Sequence, residues 1–500
     1  MRQLLLGLDI GSSSIKASVV DGATGQSLAA TQSPAEEMPM IALHPGWAEQ
    51  DPAMWWKHLV TSVKSCLQKS AARAQEVQGI GISYQMHGLV VVDKAQQVLR
   101  PAIIWCDSRA VAIGQQASEE LGEKYCLEHF LNSPGNFTAS KLKWVRDNEP
   151  EIFRKIHKIM LPGDYIAMRL SGDIVTTDTG LSEGIFWDYG IQSVSEKLLT
   201  HYGFEKALLP SLVPVFGTQG TLRQDASEEL GLRQGVKICY RAGDQPNNAF
   251  SLNVLKPGET AATAGTSGVI YSVTDKNAFD PKSRVNTFIH VNNDARFRSN
   301  GVLLCINGTG ILNSWLRRNT RGAGTAFDYE QMNNLAAQVP VGSEGLIILP
   351  FGNGAERIFE NRTLNASFHG LDFNHHSEGH LFRAAQEGIV FALKYGFDIL
   401  REIGLETSVI RAGYSNMFLS PVFREAFVNT IGAPLELYNT DGATGAAIGA
   451  GVGAGVFSSI TEAFKGLRPR EFVEPEKNKV ELYQKAYLQW LTYLDQGKKS

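Results

Sequence analysis

Two aspartates lie at the ends of short apolar runs, each within two residues of a small or polar stretch. Asp9 lies in LLLGLDIGSSSIKASVVD (residues 4–21), where two apolar stretches, 4–10 and 15–20, flank the turn Gly11-Ser12-Ser13-Ser14. Small residues at such a turn let backbone N–H groups approach an anion closely, and the hydroxyls add donors. A carboxylate beside them is suited to holding the Mg²⁺ that accompanies nucleotide phosphates. An ordinary hairpin with Asp9 capping a polar turn would read the same way. Asp244 follows the apolar run 236–240 through Arg241-Ala242-Gly243, just before a helix-like run from 247 to 252. A strand end fixes a backbone while the following loop exposes a side chain, a favoured place for a reactive group; an N-cap aspartate occupies the same place. His87, in Gln85-Met86-His87-Gly88, sits at a break between two short strands, facing a cleft or serving as a structural residue. Asp107 and Arg109 read as a helix N-cap and a surface ion pair.

The elements that must carry these groups repeat. Residues 260–264, Gly265-Thr266-Ser267-Gly268 and 269–273 reproduce the opening design of strand, small polar turn and strand, about 255 residues further on. Two similarly built domains, each offering a phosphate-contacting turn to a shared cleft, are expected, with a division at 1–246 and 247–500. Asp51-Pro52 predicts a helix start, with Trp55, Leu59, Val63 and Leu67 as its buried stripe. A long amphipathic helix is predicted over 381–403. Gly308-Thr309-Gly310 precedes another helix, and 409–410 enter the loop Arg411-Ala412-Gly413-Tyr414-Ser415-Asn416, able to accept adenine or its ribose. Thr440-Asp441-Gly442 opens a small-residue helix suited to close crossing.

A chain of 500 residues exceeds one hydrophobic core, and 43% hydrophobic with 20% charged residues is ordinary for a soluble protein. A net charge of −4 argues against a nucleic-acid-binding surface and a basic membrane patch. Five scattered cysteines without a CxxC pair suit free thiols in a reducing compartment. The N-terminal apolar run is broken by Asp9, unlike a signal peptide, and the uncharged stretch 443–460 is too rich in Gly and Ala for a membrane span. A cytoplasmic protein without membrane or nucleic-acid partners is expected, with a homodimer as the default assembly.

Together these pieces resemble the FGGY carbohydrate kinases of the actin-like ATPase superfamily, from Gly7 to about Gly455 and in the family's order. Gly7-Leu8-Asp9-Ile10-Gly11 with Lys16 is similar to the first phosphate hairpin, Gly265-Thr266-Ser267-Gly268 to the second, and Ala412–Asn416 to the adenosine element. Trp47-Ala48-Glu49-Gln50-Asp51-Pro52, Gln85-Met86-His87-Gly88 and Asn136-Phe137-Thr138-Ala139-Ser140-Lys141 are similar to xylulokinase segments. The resemblance implies an α/β fold of two ribonuclease-H-like domains, each a mixed sheet flanked by helices, closing around a sugar and MgATP. It implies phosphorylation of a ketose, foremost D-xylulose, with ribulose, a methylpentulose, a heptulose or glycerol as alternatives. A nucleotide-gated sugar sensor without turnover is the reading from another class. By position Asp244 matches the catalytic base, and Asp9 the carboxylate near metal and transferring phosphoryl. Met86 and His87 match the sugar contacts, joined by Asp244 and Gln245. Gly11, Ser12, Ser13, Lys16, Gly265 and Thr266 match phosphate contacts; Gly310, Gly413 and Asn416 match nucleotide contacts. Three departures stand out: Arg411-Ala412 and Tyr414 around Gly413, where Tyr414 stacks on the base or merely covers it; Gln245, as in glycerol kinases; and Glu356-Arg357-Ile358 without the family's usual proline.

Overall fold

Strand Leu4–Ile10 pairs antiparallel with Ile15–Asp21, placing Asp9 opposite Lys16 and Ile10 opposite Ile15 across the predicted turn. The structure, a computed structural model, describes residues 2–322 and 325–499. Ser27–Ser33 extends the hairpin into a three-strand meander. On its other side Val77–Tyr84 runs parallel to Leu4–Ile10, Lys237–Gly243 runs parallel to Val77–Tyr84, and Phe216–Thr221 closes the edge antiparallel.

The second sheet follows the same plan. Glu259–Ala264 and Gly268–Thr274 form the antiparallel hairpin, with Ala264 opposite Gly268, and Asn300–Ile306 completes the meander. Val409–Gly413 and Leu435–Tyr438 are the parallel neighbours, and Glu471–Val473 is the antiparallel edge. One extra strand, Asn286–Ile289, flanks Asn300–Ile306. The repetition legible in the two hairpins therefore extends to the order and direction of whole sheets. Parallel strands end on the same side, so Asp9, Gln85 and Asp244 leave one sheet edge together, as Gly265 and Tyr414 leave the other.

Helices cover these sheets where the apolar periodicity requires it. The Pro52–Lys69 helix starts with Asp51 accepting the Ala53 N–H at 2.9 Å and buries Trp55, Leu59 and Val63 against the meander. Each such large apolar side chain stabilises the domain by about 1.5–3 kcal/mol. The Glu378–Glu402 helix does the same for the second sheet, burying Ile389, Phe391 and Leu393.

The small-residue helix Gly442–Gly453 follows a strand of the second sheet but packs on the first, along Leu4–Ile10 and Val77–Tyr84. A Cβ at Gly7 would overlap Ala443 O, and one at Gly81 would overlap Ala446 O. Helix backbone lies directly on strand backbone here. That approach is what the run of glycine and alanine permits, and it ties the two halves together. No helix among the described residues is long and apolar enough to cross a membrane.

Candidate active site

A cavity of about 450 Å³ opens between the two sheet edges. Asp9, the Gly11–Ser14 turn, Lys16, Gln85, Asp244 and Asn248 line it from the first half; Ala262–Ala264, Gly413, Asn416 and Thr440–Gly442 line it from the second. A neighbouring cavity of about 370 Å³ shares Ala264 and Asn416 and is lined by Gly265, Thr266, Gly310, Asn313, Asn333 and Ser420. The residues expected to contact phosphate and nucleotide are thus gathered from positions 11 to 416.

Asp244 is the first residue of the helix Asp244–Ser251, at the end of Lys237–Gly243. Burial, and after it the charge of Asp9, pushes its carboxyl up to about 7, against hydrogen bonds from the backbone and side chain of Gln245. Gln245 therefore acts on Asp244 directly. Asp9 accepts from Ser83 Oγ at 2.9 Å, and Lys16 Nζ stands 4.0 Å from its Oδ2. Burial raises the Asp9 pKa and the Asp441 charge adds to it, while Lys16 and Ser83 oppose. A Cβ at Gly442 would lie 2.8 Å from Asp9 Oδ2, so only glycine leaves that carboxylate its place.

The turn that follows Asp9 is braced from a distance. Gln50 Nε2 donates to Ser12 O at 2.7 Å, and Trp105 Nε1 donates to Ser12 Oγ at 3.2 Å. Gln50 is held by the stretch around Trp47, and here Asp107 and Arg109 depart from the surface pair read from sequence. Asp107 accepts the Ala48 N–H at 2.6 Å and takes Arg109 Nε and Nη2 at 3.0 and 2.7 Å. Arg109 also reaches Glu49 at 2.7 Å, with its guanidinium 3.8 Å from the Trp47 ring centroid and 4.7 Å from that of Trp144. Both charged side chains are buried. Their proximity in sequence suggested a local cap, whereas their partners come from 47–49 and 144.

His87 lies beyond Gln85 with a left-handed φ of 61°. Its Nδ1–H donates to Glu183 O at 2.9 Å, leaving Nε2 as an acceptor, and its own carbonyl accepts from Lys141 Nζ at 2.9 Å. Enclosure, with the Lys141 charge second, pushes the imidazole down to about 3, so the ring is neutral. Burial likewise pushes Lys141 down to about 7. Met86 is buried beneath Gly243: a Cβ there would lie 2.6 Å from Met86 Cγ and 2.5 Å from Glu183 Oε2. Neither Met86, His87 nor Gln245 lines the two cavities: Gln245 bonds Asp244, Met86 lies against Gly243, and His87 is joined to Glu183, which feels the Asp244 charge.

Several groups at the site were not singled out in the sequence. Glu183 is buried, and desolvation with the charge of Asp244 holds its carboxyl well above the usual carboxylate range. Gln85 lines the larger cavity with both amide atoms buried and unpartnered among the described residues. Glu183 left no local sign, since it comes from an otherwise ordinary helix; Gln85 stood one residue from a quoted pair. Glu356 accepts the N–H groups of Asn307 and Gly308 at 2.9 and 2.8 Å, steadying the loop before Gly310. That gives the proline-less segment its part.

The other departures also resolve. Arg411 pairs with Glu259 at 3.2 Å and Glu436 at 2.7 Å, within the second sheet. Tyr414 lines neither cavity and packs under Arg470, whose guanidinium is 4.1 Å from its ring centroid. Asn416, at φ 53°, is the residue of that loop placed at both cavities.

Two sheets of one plan, meeting at a cleft with a small polar turn on either side, are the mark of a sugar kinase of the actin-like ATPase fold. Residues 4–251 match the N-terminal domain of the FGGY family of carbohydrate kinases and residues 260–454 match its C-terminal domain, so the chain belongs to that family. It is 29% identical to the xylulose kinase of Bacillus subtilis over 97% of this chain and 95% of that one. Identity to the xylulose kinase of Streptomyces rubiginosus is 32%, over 79% of this chain and 76% of that one. A solved xylulose kinase from Brucella ovis superimposes with a TM-score of 0.87 at 26% identity, covering 98% of each chain. The protein is a xylulokinase-like carbohydrate kinase.

Proposed function

We propose that this enzyme transfers the γ-phosphoryl group of ATP, with Mg²⁺, to a hydroxyl of D-xylulose, giving D-xylulose 5-phosphate, and that Asp244 is the general base. The observation that carries the reading is Asp244 itself: a carboxylate at a strand end, at the mouth of the cleft, with its pKa pushed up to about 7. A base is most effective when its pKa lies near the working pH, because it is then ionised yet still proton-seeking. A sensor has no use for such a group.

The site fits a bound nucleotide. Asn313 Oδ1 is buried without a partner among the described residues at the smaller cavity, where a base can satisfy it. Ser420 Oγ donates to Gln386 Oε1 at 2.7 Å and Gln386 Nε2 donates to Asn333 Oδ1 at 3.1 Å, so Asn333 turns its amide donor towards that cavity. The backbone N–H groups of Gly265-Thr266 and of Ser12-Ser13 are the ones to meet phosphate oxygens, with Lys16 as a cation beside them. Asp9 is the residue to hold Mg²⁺, with Asp441 near it. MgATP supplies the phosphoryl group and the cation that neutralises its charge.

The chain's own part is to orient and to move one proton. His87 Nε2 accepts a sugar hydroxyl, and Gln85 offers an amide to another. Asp244 takes the proton of the attacking hydroxyl as the new O–P bond forms. The assignment to D-xylulose rests on the similarity to xylulose kinases over nearly the whole length. The test is ATP-dependent ADP release with a panel of pentuloses, heptuloses, glycerol and gluconate, alongside Asp244→Asn. D-xylulose is expected to give the highest kcat/KM, with the variant reduced about 10²–10⁴-fold while binding of ADP persists. Preference for another sugar would replace the substrate; unchanged turnover in Asp244→Asn would remove the base.

A further inference from the structure

Outside the linings of the two cavities, the turn 342–345 and the start of the Glu378–Glu402 helix bring three metal-ligating side chains to one point. Glu344 Oε2 lies 2.8 Å from His375 Nε2 and 2.8 Å from His380 Nε2, and the three ligand atoms all fall within 4.8 Å of one another. A third imidazole, His376, packs beside them with its ring centroid 5.3 Å from that of His375 and 5.1 Å from that of His380. Its Nδ1 accepts the Asp372 N–H at 3.0 Å, while its Nε2 is buried and has no partner among the described residues. Glu344 is held in place by an unusual backbone: Ser343 and Glu344 have φ of 47° and 51°, values that side-chain-bearing residues rarely adopt.

We propose that Glu344, His375 and His380 form a binding site for a borderline divalent cation, Zn²⁺ first, with water in the fourth position. Two imidazoles and one carboxylate are a donor set that zinc takes with an open position, whereas Mg²⁺ and Ca²⁺ prefer all-oxygen surroundings. Tetrahedral bonds of the usual length put neighbouring ligand atoms about 3.3 Å apart. The observed carboxylate–imidazole separations need to open only slightly to reach that. An exposed carboxylate–imidazole contact by itself adds little stability, so it does not account for two successive left-handed residues.

The proton inventory also closes. Without metal, His380 Nδ1 accepts the Ser377 N–H at 3.1 Å, and its Nε2–H donates to Glu344. With metal on Nε2, the neutral ring carries its proton on Nδ1 instead, where Ser377 Oγ, 3.0 Å away, accepts it. Ser377 is exposed, so its released N–H turns to water. The ring exchanges one tautomer for the other at no change in charge.

The ion would clamp the turn to the helix. Gly342 N–H already donates to Glu387 Oε1 at 3.1 Å, one further contact between the same two segments. The same helix carries Gln386, which orients Asn333, so a cation here would steady a support of the smaller cavity without touching substrate. The site is independent of the sugar assignment.

The experiment uses the full chain, stripped with chelator and titrated with Zn²⁺ by calorimetry, beside His375→Gln and Glu344→Gln. Expected are one Zn²⁺ per chain at micromolar affinity, a rise in Tm on adding Zn²⁺, and binding weaker by about tenfold or more in each variant. Co²⁺ in place of Zn²⁺ should give the intense visible absorption of a four-coordinate ion, again lost in the variants. His375 is more than half exposed, so His375→Gln folds, and its unaltered Tm without metal serves as the control. Absence of micromolar binding, or binding equal in wild type and both variants, overturns the site.

Discussion

Asp244 and Asp9 are two carboxylates whose pKa values burial raises; the charge of Asp9 adds to this at Asp244, and at Asp9 the charge of Asp441 adds while Lys16 and Ser83 oppose. For Asp244 the consequence is a pH profile. The base must be ionised, so kcat/KM should fall as pH drops below about 7, tenfold per unit, and level off above it. A profile with its acid limb near 4 would show that burial is relieved before substrate binds. Glu183 behaves differently. Its folded pKa lies above its unfolded one, so the folded state keeps a proton that the unfolded chain loses as pH rises past the usual carboxylate range. Glu183 therefore costs stability increasingly from that range up to its folded pKa. Glu183→Gln should raise Tm by a few degrees at pH 8 and leave it nearly unchanged at pH 4, read by scanning calorimetry. Nothing near residue 183 announced this. Asp244 was legible because a strand end and a glycine precede it; Glu183 is made special by its burial against Gly243 and by the charge of Asp244.

At the scale of elements, two packing devices position the site. One is the buried cluster behind the first turn. Arg109→Met should leave Asp107 buried without its cation, while Glu49 keeps Arg100, and cost about 3–5 kcal/mol, measured by denaturant unfolding. Through Gln50 the same change should loosen Ser12 and raise the KM for ATP more than that for sugar. The other is the glycine helix on the first sheet. Gly81→Ala places a methyl group against Ala446 O and should cost about 1–3 kcal/mol, far more than glycine-to-alanine at an open strand position. The helix starts were readable from local chemistry: Asp51 with Pro52, and Asp441 accepting the Thr444 N–H at 2.7 Å. Which sheet each helix covers was not. The Gly442–Gly453 helix is separated by more than four hundred residues from the strand Leu4–Ile10 it rests on.

For the whole molecule, the arrangement of two like sheets around one cleft makes closure the natural response to ligands that bridge it. Asp9 and Asp244 stand on one side, and Gly413 and Asn416 on the other. Sugar with MgADP should lower the radius of gyration in small-angle scattering, more than either ligand alone; an unchanged value would mean that the cleft is already in its working form. The sequence by itself determined the family, the doubled hairpin and the set of residues that the fold gathers around the two cavities. These depend on short-range patterns: strand periodicity, small turns, and a carboxylate at a strand end. Only the tertiary structure decided that Asp107 and Arg109 are a buried clamp, that Tyr414 packs under Arg470 rather than lining either cavity, and that Glu183 shares the interior with Asp244. Those outcomes depend on which segments pack together and how much water each contact excludes, and burial is a property of the assembled chain that no local spacing records.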